Sequence, residues 1–224
     1  MISHKHKCIF VHIPKCAGTS IEKSLGHFED YAGRDQQDHS SIRMMEPINS
    51  KTFSSAENIK ELLKRFLVQI KPAPNPRNKY TVSREQYEKY FKFTMVRNPW
   101  ARAHSWYKNV TRDKLHRAEM QISDSISFYD FLETFKYKTG LRPQTFWIKN
   151  YKGHISLDYI GRFENLANDF EKVCNLMNIE PLKLPHELQR TCNDYRDAYD
   201  DKTRDLISRL YREEIELLGY SFDS

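Results

Sequence analysis

Residues 8–20 read CIFVHIPKCAGTS, and the order of residue types in this stretch decides the fold class. Cys8 to Ile13 form a short apolar run rich in strand-forming residues, and Pro14 ends it. Gly18-Thr19-Ser20 then opens a short helical pattern that continues to Leu25. The stretch therefore predicts a strand, a turn and a helix in direct succession.

Two more strand candidates lie further along the chain, Phe91–Val96 and Tyr159–Phe163. Helical patterns alternate with them, and they cover the residues after Pro99 to about Lys108, Ser127–Phe135, Glu164–Met177 and Thr203–Leu218. This alternation predicts an α/β fold with a central, mainly parallel sheet that helices cover on both faces. The length of 224 residues fits a single domain over residues 1–224.

Residues 50–80 interrupt the alternation. Residues 54–70 predict an amphipathic helix whose apolar residues share one broad stripe: Ile59, Leu62, Leu63, Phe66, Leu67 and Ile70. The following KPAPNP, residues 71–76, predicts a stiff extended linker. We expect residues 50–80 to form an insertion or lid within the single domain.

Composition limits the classes of protein without choosing among ligands. Hydrophobic residues make up 39% of the chain, which is enough to build a core and argues against wholesale disorder. The net charge of +6 suits an anionic partner, whether a nucleotide, an acidic polysaccharide, a nucleic acid or a membrane surface. No stretch approaches the roughly 20 apolar residues of a membrane span, and the run after MISHKHK is too short for a signal peptide. We therefore expect a cytoplasmic protein.

The four cysteines, Cys8, Cys16, Cys174 and Cys192, form no CxxC pair and no cluster with histidines at the spacing of a metal site. We expect reduced thiols and no bound metal.

The turn after the first strand carries the residue types that bind a phosphate. Lys15 supplies a cation, Thr19 and Ser20 supply hydroxyl donors, and the helix start supplies backbone N–H groups. Gly18 lets the backbone approach a ligand closely. The turn is not a Walker A loop, because Lys15 precedes the glycine by three residues. Alone, the pattern is equally typical of an ordinary turn in which Thr19 or Ser20 caps the helix.

A second candidate for anion binding follows the second strand. Arg97 stands where that strand ends, at the edge where α/β sheets bind ligands, and its planar fork can bind two phosphate oxygens. Ser105 lies eight residues later, about two helical turns on, so it can share a face with the turn that begins at Arg97. The alternative is a structural ion pair for Arg97 and an exposed helix position for Ser105.

Together, HIPKCAGTS at 12–20 and VRNPWARAHSWY at 96–107 resemble the two cofactor elements of the sulfotransferases that use 3′-phosphoadenosine 5′-phosphosulfate (PAPS). The resemblance is greatest to the branch of carbohydrate O-sulfotransferases, and GRFENLANDF at 161–170 and LLGYSF at 217–222 extend it. It implies a P-loop-like three-layer sandwich with a central parallel sheet. It also implies transfer of a sulfuryl group from PAPS to a hydroxyl of an acceptor, with a carbohydrate as partner and no nucleic acid.

The resemblance also implies roles residue by residue. The 5′-phosphosulfate would be held by Lys15, Gly18, Thr19 and Ser20, with backbone from Cys16 and Ala17. The 3′-phosphate would be held by Arg97 and Ser105, while Arg102 aligns with an arginine expected to be structural. Lys15 would also be catalytic, because it would neutralise charge that grows on the leaving phosphate.

His39 is the candidate general base, since related bacterial sequences often show a His followed by small residues at this place. Asp38 beside it is expected to raise the pKa of the imidazole. Glu46 and His12 are held in reserve as bases, and a surface histidine without a role is the alternative for His39.

The segment 184–196 resembles a family loop that closes over nucleotide and acceptor, where His186, Arg190 and Arg196 are candidates. A plain basic surface loop explains these residues equally well. Five aromatic residues could stack on an acceptor or belong to the core: Trp106, Tyr107, Phe146, Trp147 and Tyr151.

Two other classes of protein stay open from the sequence. One is a P-loop-like kinase or NTPase, which the position of Lys15 disfavours. The other is a non-catalytic protein that binds a nucleotide or a polyanion, which the basic charge permits.

Overall fold

The structure is a computed structural model that describes residues 1–29, 37–123, 125–185 and 194–224. The chain divides into two compact units, the first of Met1–Val96 with Phe146–Leu188 and the second of Arg97–Thr145 with Gln189–Ser224. His186, Arg190 and Cys192 lie outside the described residues.

The first unit contains a four-stranded sheet with the order β1-β2-β3-β4. The strands are β1 Ile2–Ser3, β2 Cys8–Val11, β3 Phe91–Val96 and β4 Tyr159–Arg162. β2 pairs with β3 and β3 with β4 in parallel, while β1 is antiparallel to β2. The prediction of an α/β fold with a mainly parallel sheet is therefore confirmed, and the three-layer, P-loop-like arrangement stays a prediction.

The central strands are apolar runs because residues on both of their faces are buried. All four residues of β2 are buried, as are five of the six residues of β3. The rings of Phe10 and Phe93 lie 5.0 Å apart between centroids, and the Thr94 hydroxyl donates to the Val11 carbonyl at 2.7 Å. The polar group in β3 is thus satisfied inside the sheet, as burial demands.

The α-helices of the described residues are α1 Gly18–Ser24, α2 Ile42–Met45, α3 Ala56–Ile70, α4 Arg84–Lys89, α5 Pro99–Arg112, α6 Lys114–Glu119, α7 Phe128–Phe135, α8 Gln144–Ile148, α9 Leu166–Leu176, α10 Asp201–Leu210 and α11 Arg212–Leu218. None of these helices is long and apolar enough to cross a membrane. The sequence predicted the longer ones and missed the short ones, whose few residues carry little periodicity.

Two helix starts confirm the local sequence signals. α1 begins at Gly18, and α5 begins at Pro99. The Asn98 side chain accepts hydrogen bonds from the backbone N–H groups of Trp100 and Ala101, so it caps α5.

The prediction of one closing helix over Thr203–Leu218 is wrong, because Tyr211 separates α10 from α11. Tyr211 has φ −116° and ψ 23°, outside the helical region. Its side chain is 2% exposed, and its hydroxyl donates to the Leu141 carbonyl at 2.6 Å. The buried Tyr211 thus fixes the break between α10 and α11. The residues around it have a helical pattern, so the sequence does not reveal the break.

Arg102 holds the second unit together from inside. Its side chain is fully buried and donates to the carbonyls of Gly140 at 3.1 Å and Arg142 at 2.8 Å. The structural role expected for Arg102 is confirmed.

The helix predicted over residues 54–70 is confirmed as α3. Its Ser55 side chain accepts from the Asn58 N–H and caps it. Of the predicted apolar stripe only Leu62 is buried, and the other five side chains are exposed to solvent. The single-domain assignment and the role of residues 50–80 as an insertion or lid stay predictions.

Candidate active site

The loop that joins β2 to α1 has an unusual backbone. Lys15 has φ 70° and Ala17 has φ 63°, both in the left-handed region, and Cys16 between them does not. For L-residues other than glycine, each such position costs about 1–2 kcal/mol. Alternation of left- and right-handed residues turns successive N–H groups towards one side and creates a concave anion site. A backbone of this kind can bind a phosphate, and the role that the residue types of the loop predict stays a prediction.

Gly18 is required by the ring of His12. A Cβ at Gly18 would lie 1.9 Å from His12 Cδ2, which is far inside any tolerated contact. Among the described residues no side chain caps α1, whose N-cap is Ala17. The alternative of an ordinary turn capped by Thr19 or Ser20 is therefore wrong. The Thr19 hydroxyl instead accepts from Gln37 Nε2 at 3.3 Å.

His12 and Glu22 form a buried pair behind the loop. Nδ1 of His12 lies 3.1 Å from Oε1 of Glu22, and these residues are 2% and 0% exposed. Burial first, and the N-terminal ammonium second, lower the pKa of His12 to about 3. Burial also raises the pKa of Glu22 to about 7. The contact has the spacing of an ion pair, but burial favours its neutral form.

His39 lies beside the loop, although it follows Lys15 by 24 residues in the sequence. Its ring centroid is 4.2 Å from that of His12, whose ring in turn packs on Gly18. His39 Nδ1 lies 3.5 Å from the His12 carbonyl oxygen, which can only accept a hydrogen bond. Nδ1 is therefore the protonated nitrogen, and Nε2 keeps the lone pair that could accept a proton.

Asp38 raises the pKa of His39, as expected, but burial and His12 outweigh this effect. Burial first, and the neighbouring His12 second, lower the pKa of His39 to about 3. Asp38 lies 3.3 Å from the N-terminal ammonium and accepts from the Ser40 hydroxyl. Burial opposes its ionisation, but those two contacts outweigh burial and lower the pKa of Asp38. Its charge is thus already compensated, and His39 stays neutral.

Lys64 is a neighbour of His39 that the sequence did not single out. Its ammonium donates to the His39 carbonyl at 3.4 Å and lies 5.9 Å from the ring centroid of Trp147. Lys64 stands on α3, 25 residues after His39, and only the fold brings it to the site.

Arg97 and Ser105 belong to the second unit. Arg97 directly follows β3, and Gln144 fixes its backbone through two hydrogen bonds of 2.8 Å. Gln144 is held by the buried carboxylate of Glu214. Ser105 stands on α5 and is half-buried. The roles of these residues towards a 3′-phosphate stay predictions.

The reserve base Glu46 is engaged in structural contacts. Its carboxylate accepts from the Tyr151 N–H at 2.8 Å and from Asn49 Nδ2 at 2.9 Å. Among the aromatic candidates in the same unit, Trp147 and Tyr151 are buried and belong to the core, whereas Phe146 is half-buried beneath the Arg43 guanidinium.

In the second unit, Trp106 packs on Gly140 and the Tyr107 hydroxyl donates to the Ile126 carbonyl. Arg196, from the predicted closing loop, forms ion pairs with Asp194 at 3.0 Å and Asp223 at 3.4 Å.

The buried Glu22 gives the site a testable pH dependence. Its folded pKa of about 7 lies above the ordinary 4.5, so its contribution to stability is full below pH 4.5 and is lost as the pH rises through 7. Glu22→Gln keeps the oxygen that accepts from the Asp38 N–H and cannot ionise. We expect the free energy of unfolding of this variant, relative to wild type, to rise between pH 5 and pH 8 by on the order of 2 kcal/mol.

Urea unfolding at the two pH values measures this difference. The matched control is Glu171→Gln, an exposed glutamate in the same unit, whose difference from wild type should not change with pH. An equal difference at both pH values for Glu22→Gln would contradict the buried, neutral state.

The sequence matches a known family of proteins. A family model described as "Sulfotransferase family" matches residues 1–221. The chain is 31% identical over 128 residues to an uncharacterized protein of Archaeoglobus fulgidus (strain ATCC 49558 / DSM 4304 / JCM 9628 / NBRC 100126 / VC-16). These 128 residues cover 56% of this chain and 92% of that protein. No solved structure is a significant match. Because the family model covers nearly the whole chain, this protein belongs to the sulfotransferase family.

Proposed function

We propose that this protein is a PAPS-dependent O-sulfotransferase that sulfates a hydroxyl of an acceptor, with a carbohydrate as the acceptor class that the resemblance implies. The observation that carries the proposal is the left-handed backbone at Lys15 and Ala17, in the very loop where the family resemblance expects the 5′-phosphosulfate. Strained non-glycine positions are kept where they serve a function.

The loop would bind the 5′ end of the donor mainly through backbone. N–H groups at Ala17, Gly18 and Thr19 would donate to the anion, since α1 begins there without a side-chain cap among the described residues. The hydroxyls of Thr19 and Ser20 would add two donors. Lys15 is half-buried, and its ammonium would neutralise negative charge on the 5′-phosphate.

Arg97 and Ser105 would bind the 3′-phosphate. The backbone of Arg97 is fixed on both sides by Gln144, so its side chain starts from a defined position. A guanidinium and a hydroxyl are suited to a dianionic phosphate because they supply charge-assisted hydrogen bonds.

PAPS, when bound, supplies the sulfuryl group. The acceptor hydroxyl must lose its proton, and His39 would take it at Nε2, because Nδ1 faces the His12 carbonyl. Burial lowers the pKa of His39, so its imidazole is neutral and can accept a proton, although the lower pKa also makes it a weaker base. His12 is 2% exposed and has a core role, and Glu46 is held by Tyr151 and Asn49, so His39 is the better candidate.

A panel of acceptors with ³⁵S-labelled PAPS tests the reaction and its acceptor class. Sulfation of oligosaccharides in preference to phenols and simple alcohols would support the carbohydrate. Sulfation of none of them would leave the non-catalytic nucleotide-binding protein as the better explanation.

The cofactor assignment gives a prediction for Arg97. Arg97→Ala should weaken binding of adenosine 3′,5′-bisphosphate by about 1.5–3 kcal/mol, the usual range for hydrogen bonds to a charged group. Isothermal titration calorimetry measures the affinity. The matched control is Arg112→Ala, an exposed arginine at the end of the same helix α5, which should bind like wild type.

Wild-type affinity in the Arg97 variant would refute the assignment. A kinase-like protein is separated by ligand choice, since adenosine 3′,5′-bisphosphate should raise the melting temperature and ATP with magnesium should not.

The base assignment gives a prediction for His39. His39→Ala and His39→Gln should each lower kcat by about 10²–10⁴-fold, because neither side chain accepts the proton. Nucleotide affinity should stay near wild type in both variants. With a pKa of about 3 for His39, kcat/KM should stay flat between pH 5 and pH 8.

One result would count against His39 as the base, namely a variant that keeps most of its kcat on the true acceptor. A wild-type acid limb near pH 6.5 that vanishes in His39→Gln would instead contradict the low pKa of His39 and keep it as the base.

A further inference from the structure

α3, the longest helix among the described residues, presents its apolar face to solvent. This face, called here the α3 face, consists of Ile59, Leu63, Phe66, Leu67 and Ile70, which are 39%, 56%, 50%, 50% and 78% exposed. Their spacing places them on one side of a helix. Phe53, 63% exposed, precedes the helix and adds to its apolar character. Surface helices ordinarily turn such a stripe towards the core, so α3 has the reverse orientation.

The opposite side of α3 is polar and is anchored to the protein. Asn58 and Glu61 are 5% and 3% exposed. Asn58 Nδ2 donates to the carbonyls of Lys51 at 2.9 Å and Tyr151 at 3.0 Å, and the Ser41 hydroxyl donates to the Glu61 carboxylate. Rotation of the helix to bury the α3 face would break these buried hydrogen bonds. The outward orientation is therefore specified by the structure.

One side of the α3 face is basic. Lys60 stands next to Ile59 and Lys71 follows Ile70, and both are exposed, whereas Lys64 next to Leu63 is half-buried and donates to the His39 carbonyl. The two carboxylates of α3 do not offset this charge at the face. Glu61 is buried, and Glu57 lies 3.1 Å from the Arg43 guanidinium.

We propose that the α3 face docks this protein on an anionic membrane surface. A helix with an apolar stripe bordered by lysines lies in the plane of a bilayer, with its apolar side chains among the acyl chains and its lysines at anionic headgroups. Charge favours this occupant over a second copy of the chain. A symmetric dimer through the α3 face would repeat the same patch on both sides and bring lysine rows of like charge together.

Docking would bring the candidate base near the lipid headgroups. Lys64, which borders the α3 face, donates to the His39 carbonyl at 3.4 Å. Access of His39 to an acceptor at the membrane rests on the proposed function, whereas the docking itself does not.

The test is co-sedimentation of the full chain with large unilamellar vesicles of phosphatidylcholine, with and without 30 mol% phosphatidylglycerol. Wild type should bind the anionic vesicles, and 0.5 M salt should weaken binding because it screens the lysines. The double variant Leu63→Gln with Leu67→Gln should bind at least about tenfold more weakly. The matched control is Leu115→Gln with Leu217→Gln, two leucines of 53% and 52% exposure outside α3, and it should bind like wild type.

Three outcomes would overturn the proposal. The first is that wild type does not bind anionic vesicles. The second is that both double variants lose vesicle binding equally, and the third is that both retain it equally. Light scattering adds a fourth, because a wild-type dimer that the Leu63 and Leu67 changes dissociate, without lipid binding, would assign the α3 face to a second copy. Cooperative urea unfolding of both double variants shows that they are folded, and because it needs no nucleotide it separates this test from that of the proposed function.

Discussion

The packing of the His12 ring on the backbone at Gly18 is the contact on which the candidate site depends. It leaves no room for a side chain at the start of α1, since a Cβ there would lie 1.9 Å from the ring. The same ring lies against His39 and close to Glu22. Because these groups are desolvated together, His12 and His39 stay neutral, and Glu22 holds its proton up to about pH 7. One buried ring thus fixes both the loop backbone and the protonation of its neighbours.

Most of the sheet could be predicted from the sequence because its signals are local. The three longer strands are short apolar runs, and α1 and α5 begin at Gly18 and Pro99 as their residue types indicate. The break at Tyr211 could not be predicted, because it depends on a hydrogen bond to Leu141, 70 residues away. The left-handed backbone at Lys15 and Ala17 could not be predicted either, because neither lysine nor alanine favours the left-handed region.

The chemistry of the site was less predictable than its location. By residue type, Lys15, Thr19 and Ser20 predict an anion site. The direction of the His39 pKa shift could not be predicted, because burial and His12 outweigh the effect of Asp38, its neighbour in sequence. Likewise, the periodicity of α3 predicts a helix with one apolar face but does not tell which way that face points. The buried hydrogen bonds of Asn58 and Glu61 decide its orientation, and these need partners from distant parts of the chain.

In the proposed function, the backbone between β2 and α1 binds the 5′ end of the donor nucleotide. The most direct measurement is the ¹H–¹⁵N correlation spectrum of labelled protein during titration with adenosine 3′,5′-bisphosphate. We expect large downfield shifts of the amide protons of Ala17, Gly18 and Thr19, because each would gain a hydrogen bond to a phosphate. Saturable binding of the nucleotide that leaves these three amides unshifted would contradict it.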